Sequence, residues 1–186
     1  MQNAEIILTK NRILGKMKTL LEEVQELQTD FVKKNNLDNR IFTVSPKISR
    51  GENYLGLPYL ILDYPRYSFE NNFFFIRSMF WWGKFFSSTL HLAGDSKERF
   101  KNQIRNSYPQ LRHCYIGVSE DQWVHQLEPS HYLLIDAMTN EEFETTCDKF
   151  DHIKIADTHS LNEWVNAPSE LFENWKQYLS VCGLIP

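Results

Sequence analysis

The chain has 186 residues, of which 42% are hydrophobic, 14% aromatic and 24% charged, and its formal net charge is −4. This apolar content is too high for a disordered chain, and the mildly acidic balance disfavours a general nucleic-acid binder. The length predicts a single domain over residues 1–186, in which residues 1–36 form an N-terminal helix and residues 37–186 form a sheet with further helices.

The N-terminal segment carries apolar residues at alternating steps of four and three. They are Ile13, Met17, Leu20, Val24, Leu27 and Phe31. This spacing predicts a long helix with one narrow apolar stripe, and Asn35 and Asn36 are expected to end it. The stripe could pack against the protein's own sheet or pair with a second copy of the helix, and the sequence leaves both alternatives open.

Two β-rich runs follow the helix. Residues 40–48 are predicted to form a strand that closes in the polar loop 49–53. Residues 57–64 are predicted to form a second strand, which Pro65 should end because proline cannot donate a hydrogen bond to a ladder.

The densest aromatic segment of the chain is 73–92, where two apolar runs meet at Gly83 and Lys84. A glycine in the first position of a two-residue loop is typical of a type II′ hairpin. That turn places Trp82 opposite Phe85. Both faces of the hairpin are apolar, so we expect it to lie at the centre of the sheet and to be covered on each side.

The second half of the chain alternates helices and short strands. Helices are predicted at 95–106, 139–150 and 168–181, and strands at 111–118, 132–137 and 152–156. Asp95 with Glu98, and Thr139 with Glu142, each have the spacing of a capping box. The predicted fold class is therefore α+β, with a long N-terminal helix, a mainly antiparallel sheet around a central aromatic hairpin, and helices packed on the sheet.

The common catalytic and cofactor motifs are absent from the sequence. There is no G-x-G-x-x-G, no G-x-x-x-x-G-K-[ST], no H-E-x-x-H, no C-x-x-C and no G-x-S-x-G. The six histidines show no metal-ligand spacing. The three cysteines are widely separated, which favours reduced and buried thiols over a disulfide framework. We therefore expect neither a metal nor a cofactor.

Nothing in the sequence indicates secretion or a membrane. The N-terminus has no secretory signal, and no uncharged run approaches the length that a membrane span requires. The sequence therefore predicts a cytoplasmic protein without a membrane or nucleic-acid partner.

One face of the predicted hairpin combines aromatic walls with a few polar groups, which is typical of a small-molecule pocket. The residues on that face with candidate ligand-binding roles are Trp82, Phe85, Ser87, Thr89 and His91. Arg77 is a further candidate, but the predicted register places it on the opposite face. It could share a site with His91 only if a bulge shifted that register.

These observations favour a non-catalytic protein that binds a small ligand or a partner. One alternative is an enzyme in which His91 acts as a base, oriented by a carboxylate such as Asp63. Another is a structural interaction protein that forms a homodimer through the N-terminal helix.

Overall fold

The computed structural model describes residues 4–37 and 40–186, and the predicted α+β class is confirmed. The helices are α1 (Ala4–Lys34), α2 (Asp95–Asn106), α3 (Tyr108–Leu111), α4 (Asn140–Lys149) and α5 (Ala167–Val181). The strands are β1 (Lys47–Tyr54), β2 (Leu57–Phe69), β3 (Asn72–Trp81), β4 (Phe85–Ala93), β5 (Tyr115–Gly117), β6 (Tyr132–Leu134) and β7 (His152–His159). Residues 1–3 of the predicted N-terminal helix lie outside the described residues.

The strands of the described residues form one seven-stranded sheet in the order β1-β2-β3-β4-β7-β5-β6, and every pair is antiparallel. The β3–β4 hairpin has two strands on one side and three on the other. The prediction of a mainly antiparallel sheet with this aromatic hairpin at its centre is confirmed.

The helix α1 packs against β2 and α5 of its own chain. Its buried side chains include Leu14, Met17, Leu21 and Val24, which form a wider stripe than the predicted one. Leu27, a member of the predicted stripe, is 38% exposed. Packing on the protein's own sheet needs this wider apolar face. Pairing with a second copy stays a prediction.

The first strand was misplaced by the sequence analysis. Arg40–Phe42 forms a 3-10 helix, and β1 begins only at Lys47 and includes the polar residues 49–53 that were predicted to form a loop. Because β1 is at the edge of the sheet and pairs with β2 alone, its polar side chains can face solvent.

The prediction that Pro65 ends the second strand is also wrong. Strand β2 continues to Phe69, and its pairing with β3 shifts between Asp63 and Arg66. This irregularity accommodates a residue that has no N–H group to donate to the ladder.

The register of the central hairpin differs from the predicted one by one residue. The loop has three residues, with Gly83 in the middle at a φ of 66°, so that Trp81 and not Trp82 pairs with Phe85. A backbone hydrogen bond from Lys84 to Trp81, of 3.1 Å, closes this loop. A shift of one residue exchanges the two faces of a strand relative to its neighbour, so Arg77 now pairs with Thr89.

One of the two predicted capping boxes is present. Thr139 and Glu142 form both hydrogen bonds of the motif at the start of α4. At α2 the N-cap is Gly94, whose φ of 57° suits glycine, and the backbone N–H of Asp95 donates to Asn72 Oδ1 at 2.7 Å. The side chain of Asn72, the first residue of β3, thus takes the place of the predicted Asp95 cap.

Two further sequence-based expectations can be compared with the fold. The cysteines Cys114, Cys147 and Cys182 are free and buried, as predicted. Among the described residues, no helix combines the length and the hydropathy needed to cross a lipid bilayer.

Candidate functional site

The two faces of the central sheet differ in what covers them. The helix face carries Phe74, Ile76, Phe80, Phe86, Leu90 and Leu92, which are buried in apolar clusters with residues of α1, α2 and α5. The opposite face is covered by residues 118–131, which we call the cover segment. This segment lies between β5 and β6 and contacts the sheet through polar groups and through the indole of Trp123.

The face beneath the cover segment holds a group of ionisable side chains, which we call the polar cluster. Its members are Asp63, Arg77, His91, Lys154 and, from the cover segment, His125. The first four share one face because Asp63 pairs with Arg77 and His91 pairs with Lys154 across neighbouring strands. The corrected hairpin register brings these two pairs together, so Arg77 and His91 do lie on one face.

Arg77 is the hub of this cluster. Its Nε and Nη2 atoms donate to the two carboxylate oxygens of Asp63 at 2.7 and 2.9 Å, a bidentate ion pair. Its Nη1 atom lies 3.0 Å from His125 Nε2. Since a guanidinium can only donate, that ring nitrogen accepts and His125 is neutral in this arrangement.

The remaining members of the cluster contact the cover segment. His91 Nε2 lies 3.0 Å from Gln122 Oε1, and the Lys154 ammonium donates to the carbonyl oxygen of Val124 at 2.5 Å. The indole of Trp123 rests edge-on against His91, with 5.3 Å between ring centroids. The polar cluster therefore fastens the cover segment to the sheet.

Burial disfavours the charged forms of His91, His125 and Lys154. Burial and the nearby charge of Lys154 lower the pKa of His91 to about 3 and that of His125 to about 2. Burial, followed by the charge of Arg77, lowers the pKa of Lys154 to about 7. Asp63 is paired with Arg77, and the charge of Asp121 in the cover segment opposes the lowering of the Lys154 pKa without outweighing it.

Five of the six predicted site residues lie on this one face: Arg77, Phe85, Ser87, Thr89 and His91. Ser87 and Thr89 are only 3% and 5% exposed. Hollows of about 370, 500 and 580 Å³ open at the surface of the described residues, and neither Arg77 nor His91 lines any of these.

The sixth predicted residue, Trp82, lies in the hairpin loop and lines a different site. This site is a pocket of about 370 Å³, which we call the hairpin-end pocket. Its lining residues are Ile13, Lys16, Met17, Phe80, Trp82, Gly83, Phe86, Leu161 and Trp164.

The hairpin-end pocket exists because the helices leave one end of the hairpin uncovered. Phe80 and Phe86 belong to the helix face and are almost fully buried. The chain leaves β7 and passes through Leu161 and Trp164 before α5 begins at Ala167, so this connection forms one wall and α1 another. The hairpin loop with Trp82 and Gly83 forms the third wall. The backbone N–H of Trp82 donates to the carbonyl oxygen of Pro58 at 3.1 Å, which holds this loop in place.

The single charged group in the lining of this pocket is Lys16. Its ammonium lies 5.9 Å from the ring centroid of Trp164, a distance typical of a cation–π contact. Lys16 forms no ion pair with any residue in the part of the chain that the structure describes.

Most residues of this pocket were not predicted from the sequence. Ile13 and Met17 were interpreted only as a helix stripe, and Lys16 and Trp164 were not considered. The available signal was weak: Trp164 and Val165 are adjacent apolar residues among polar neighbours in a short connection, and both are exposed.

Comparison with models of protein families, with curated proteins and with solved structures finds no match to this chain. Within residues 4–37 and 40–186, no group of three or more His, Cys, Asp or Glu side chains is arranged so that it could hold a metal ion. Proposals about function therefore depend on the geometry of the two sites.

Proposed function

We propose that this protein binds a small apolar ligand in the hairpin-end pocket. One observation carries the proposal: seven of the nine lining residues have apolar or aromatic side chains, and they enclose about 370 Å³. Concave sites with apolar walls and few polar groups are the usual form of small-molecule sites. Trp82 keeps its predicted binding role in this proposal.

The other two hollows fit this role less well. The hollow of about 580 Å³ is lined largely by polar and charged groups, among them Asp95, Glu98 and Asp151. The hollow of about 500 Å³ lies on the other side of Trp82 and contains Glu5, Lys10 and Glu52. In both hollows charged side chains interrupt the apolar lining, from which a ligand gains most of its binding free energy.

Octan-1-ol is a suitable neutral probe for the pocket. At about 0.5–0.8 kcal/mol for each of its non-hydrogen atoms, within the range observed for small ligands, it should bind with a Kd of roughly 0.005–0.5 mM. We expect isothermal titration calorimetry to show one saturable site in this range.

Two leucine variants locate the site. Leu161→Trp places a larger side chain in the pocket and should abolish the saturable heat. Leu133→Trp makes the same change at an exposed position on β6, outside the lining, and should leave the titration unchanged. Absence of saturable binding to the wild-type protein, or equal binding to both variants, would overturn the proposal.

The other predictions from the sequence stay open beside this one. For the enzyme alternative, Asp63 accepts hydrogen bonds from Arg77 with both oxygens, while His91 contacts Gln122. A binding role for Arg77, Phe85, Ser87, Thr89 and His91 stays a prediction, as does a homodimer formed through α1. A His91→Asn variant in the same titration tests the predicted binding role of His91, because it should weaken binding only if the ligand contacts the polar cluster.

A further inference from the structure

We infer that the ligand of the hairpin-end pocket is an amphipathic monoanion, whose apolar body fills the pocket and whose anionic group pairs with Lys16. This inference depends on the proposed function and adds the chemical class of the ligand. The charge distribution around the pocket, the position of the ammonium and the enclosed volume support it.

The charge of Lys16 is available to a ligand, whereas neighbouring lysines of α1 are neutralised within the chain. Lys10 pairs with Glu52 at 2.6 Å, and Lys18 pairs with Glu22 one turn further along the helix. Lys16 has no such carboxylate among the described residues. An anion bound at the mouth of the pocket would therefore meet a positive charge that is not already compensated.

The position of Lys16 also determines how a ligand would be oriented. The deepest lining residues are Phe80 and Phe86, at 4% and 0% exposure, whereas Lys16 is exposed at the rim beside the half-exposed indole of Trp164. Lysine side chains commonly cover apolar surface with the hydrocarbon stem and keep the ammonium in water. A ligand should thus insert its apolar end toward the phenylalanines and leave its charged end at the rim.

The volume of the pocket favours a small ligand. Small-molecule pockets span roughly 300–1,000 Å³, and the hairpin-end pocket, at about 370 Å³, is near the lower end of that range. Medium-chain carboxylates and small aromatic carboxylates are of this size and carry a single negative charge. A full phospholipid is far larger than the pocket.

The inference is tested with three probes that share one chain length and differ in charge: octanoate, octan-1-ol and octylammonium. Calorimetry at low ionic strength and below any micellar concentration should give the affinity order octanoate, octan-1-ol, octylammonium. A partly exposed ion pair predicts that octanoate binds about three- to fivefold more tightly than octan-1-ol. Equal affinities for all three, or tightest binding of octylammonium, would overturn the inference.

Variants of two lysines on α1 identify the charge responsible. Lys16→Gln should reduce the ratio of octanoate affinity to octan-1-ol affinity to about one, and Lys16→Glu should make octylammonium the preferred of the two charged probes. Lys18→Gln removes a lysine outside the pocket lining and should change nothing. A preference for octanoate that survives Lys16→Gln would contradict the assignment.

The outcomes separate the two proposals. If none of the three probes binds, the proposed function itself fails. If all three bind with the same affinity and Leu161→Trp abolishes their binding, the pocket is a ligand site but its selectivity for anions is refuted.

Discussion

The polar cluster and the hairpin-end pocket lie on the same β3–β4 hairpin, yet they differ in how far the chain's own residues supply the contacts that each site can make. In the polar cluster, Asp63, Arg77, His91 and Lys154 all find hydrogen-bond partners within the chain. In the hairpin-end pocket, aromatic side chains border a space that no side chain fills.

This difference separates residues that stabilise the fold from residues that can bind a ligand. Buried polar groups must be paired or they destabilise the fold, so a completed network is explained by stability alone. An unfilled apolar space is unfavourable to packing, because its lining lacks contacts that neighbouring side chains would provide. The account therefore assigns a stabilising role to the polar cluster and a binding role to the pocket, and each assignment can be tested separately.

The largest expected effect is the loss of the carboxylate in the polar cluster. Asp63→Ala leaves the Arg77 guanidinium, whose side chain is 17% exposed, without its partner. We expect the free energy of unfolding in urea to fall by about 3 kcal/mol, while the folded variant keeps its octan-1-ol affinity. The double variant Asp63→Leu with Arg77→Met should recover much of the loss, and a double variant as unstable as the single one would argue against the ion pair.

A second effect concerns the dependence of stability on pH. The pKa of Lys154 is lowered to about 7 in the folded state, below its ordinary value of 10.5. The unfolded chain therefore binds more protons between pH 7 and 10.5, and this group makes stability rise with pH across that window, by up to about 1.4 kcal/mol per pH unit. Lys154→Met should remove this contribution.

The matched comparison for Lys154 is Lys18→Met, an exposed lysine on α1 that pairs with Glu22. Urea unfolding at pH 7, 8, 9 and 10 should give a smaller rise for Lys154→Met than for the wild type, and the wild-type rise for Lys18→Met. Identical slopes in all three proteins would show that Lys154 is not buried as a neutral amine.

A substitution in the hairpin-end pocket should have the opposite pattern, with a large effect on ligand binding and a small effect on the free energy of unfolding. Trp164 is 47% exposed and forms one wall of the pocket. Trp164→Ala should weaken octan-1-ol binding about tenfold, because the ligand loses an aromatic contact surface. It should change the free energy of unfolding by less than about 0.5 kcal/mol. A stability loss without a change in affinity would assign Trp164 to packing.

His91→Asn is expected to change ligand affinity little. The loss of the His91–Gln122 contact should lower the free energy of unfolding by about 1 kcal/mol and accelerate amide hydrogen exchange in the cover segment. Octan-1-ol affinity should stay within about twofold of the wild type. A tenfold loss of affinity would move the binding site to the polar cluster.

Much of the fold could be predicted because local patterns carry it. The helix α1, its end near Asn35, the capping box at Thr139 and the central position of the aromatic hairpin each follow from residues close together in sequence. The hairpin register did not follow, since a two-residue and a three-residue loop around Gly83 differ by one residue and exchange every side chain between the faces.

The candidate site was less predictable for the same reason. Arg77 and His91 were each identified, but their placement on one face depended on that loop length. The hairpin-end pocket joins Lys16 of α1 to Trp164, near the other end of the chain. No local spacing connects these two residues, and only the packing of α1 against the sheet brings them together.

The most direct test of the account is the chemical shift of the tryptophan indole N–H groups during titration with octan-1-ol. Trp82 and Trp164 line the hairpin-end pocket, whereas Trp123, in the cover segment, lies over His91. Single Trp→Phe variants assign the resonances in two-dimensional ¹H–¹⁵N spectra. The account predicts saturable shifts at Trp82 and Trp164 with Trp123 unchanged, and shifts at Trp123 while Trp82 and Trp164 stay still would contradict it.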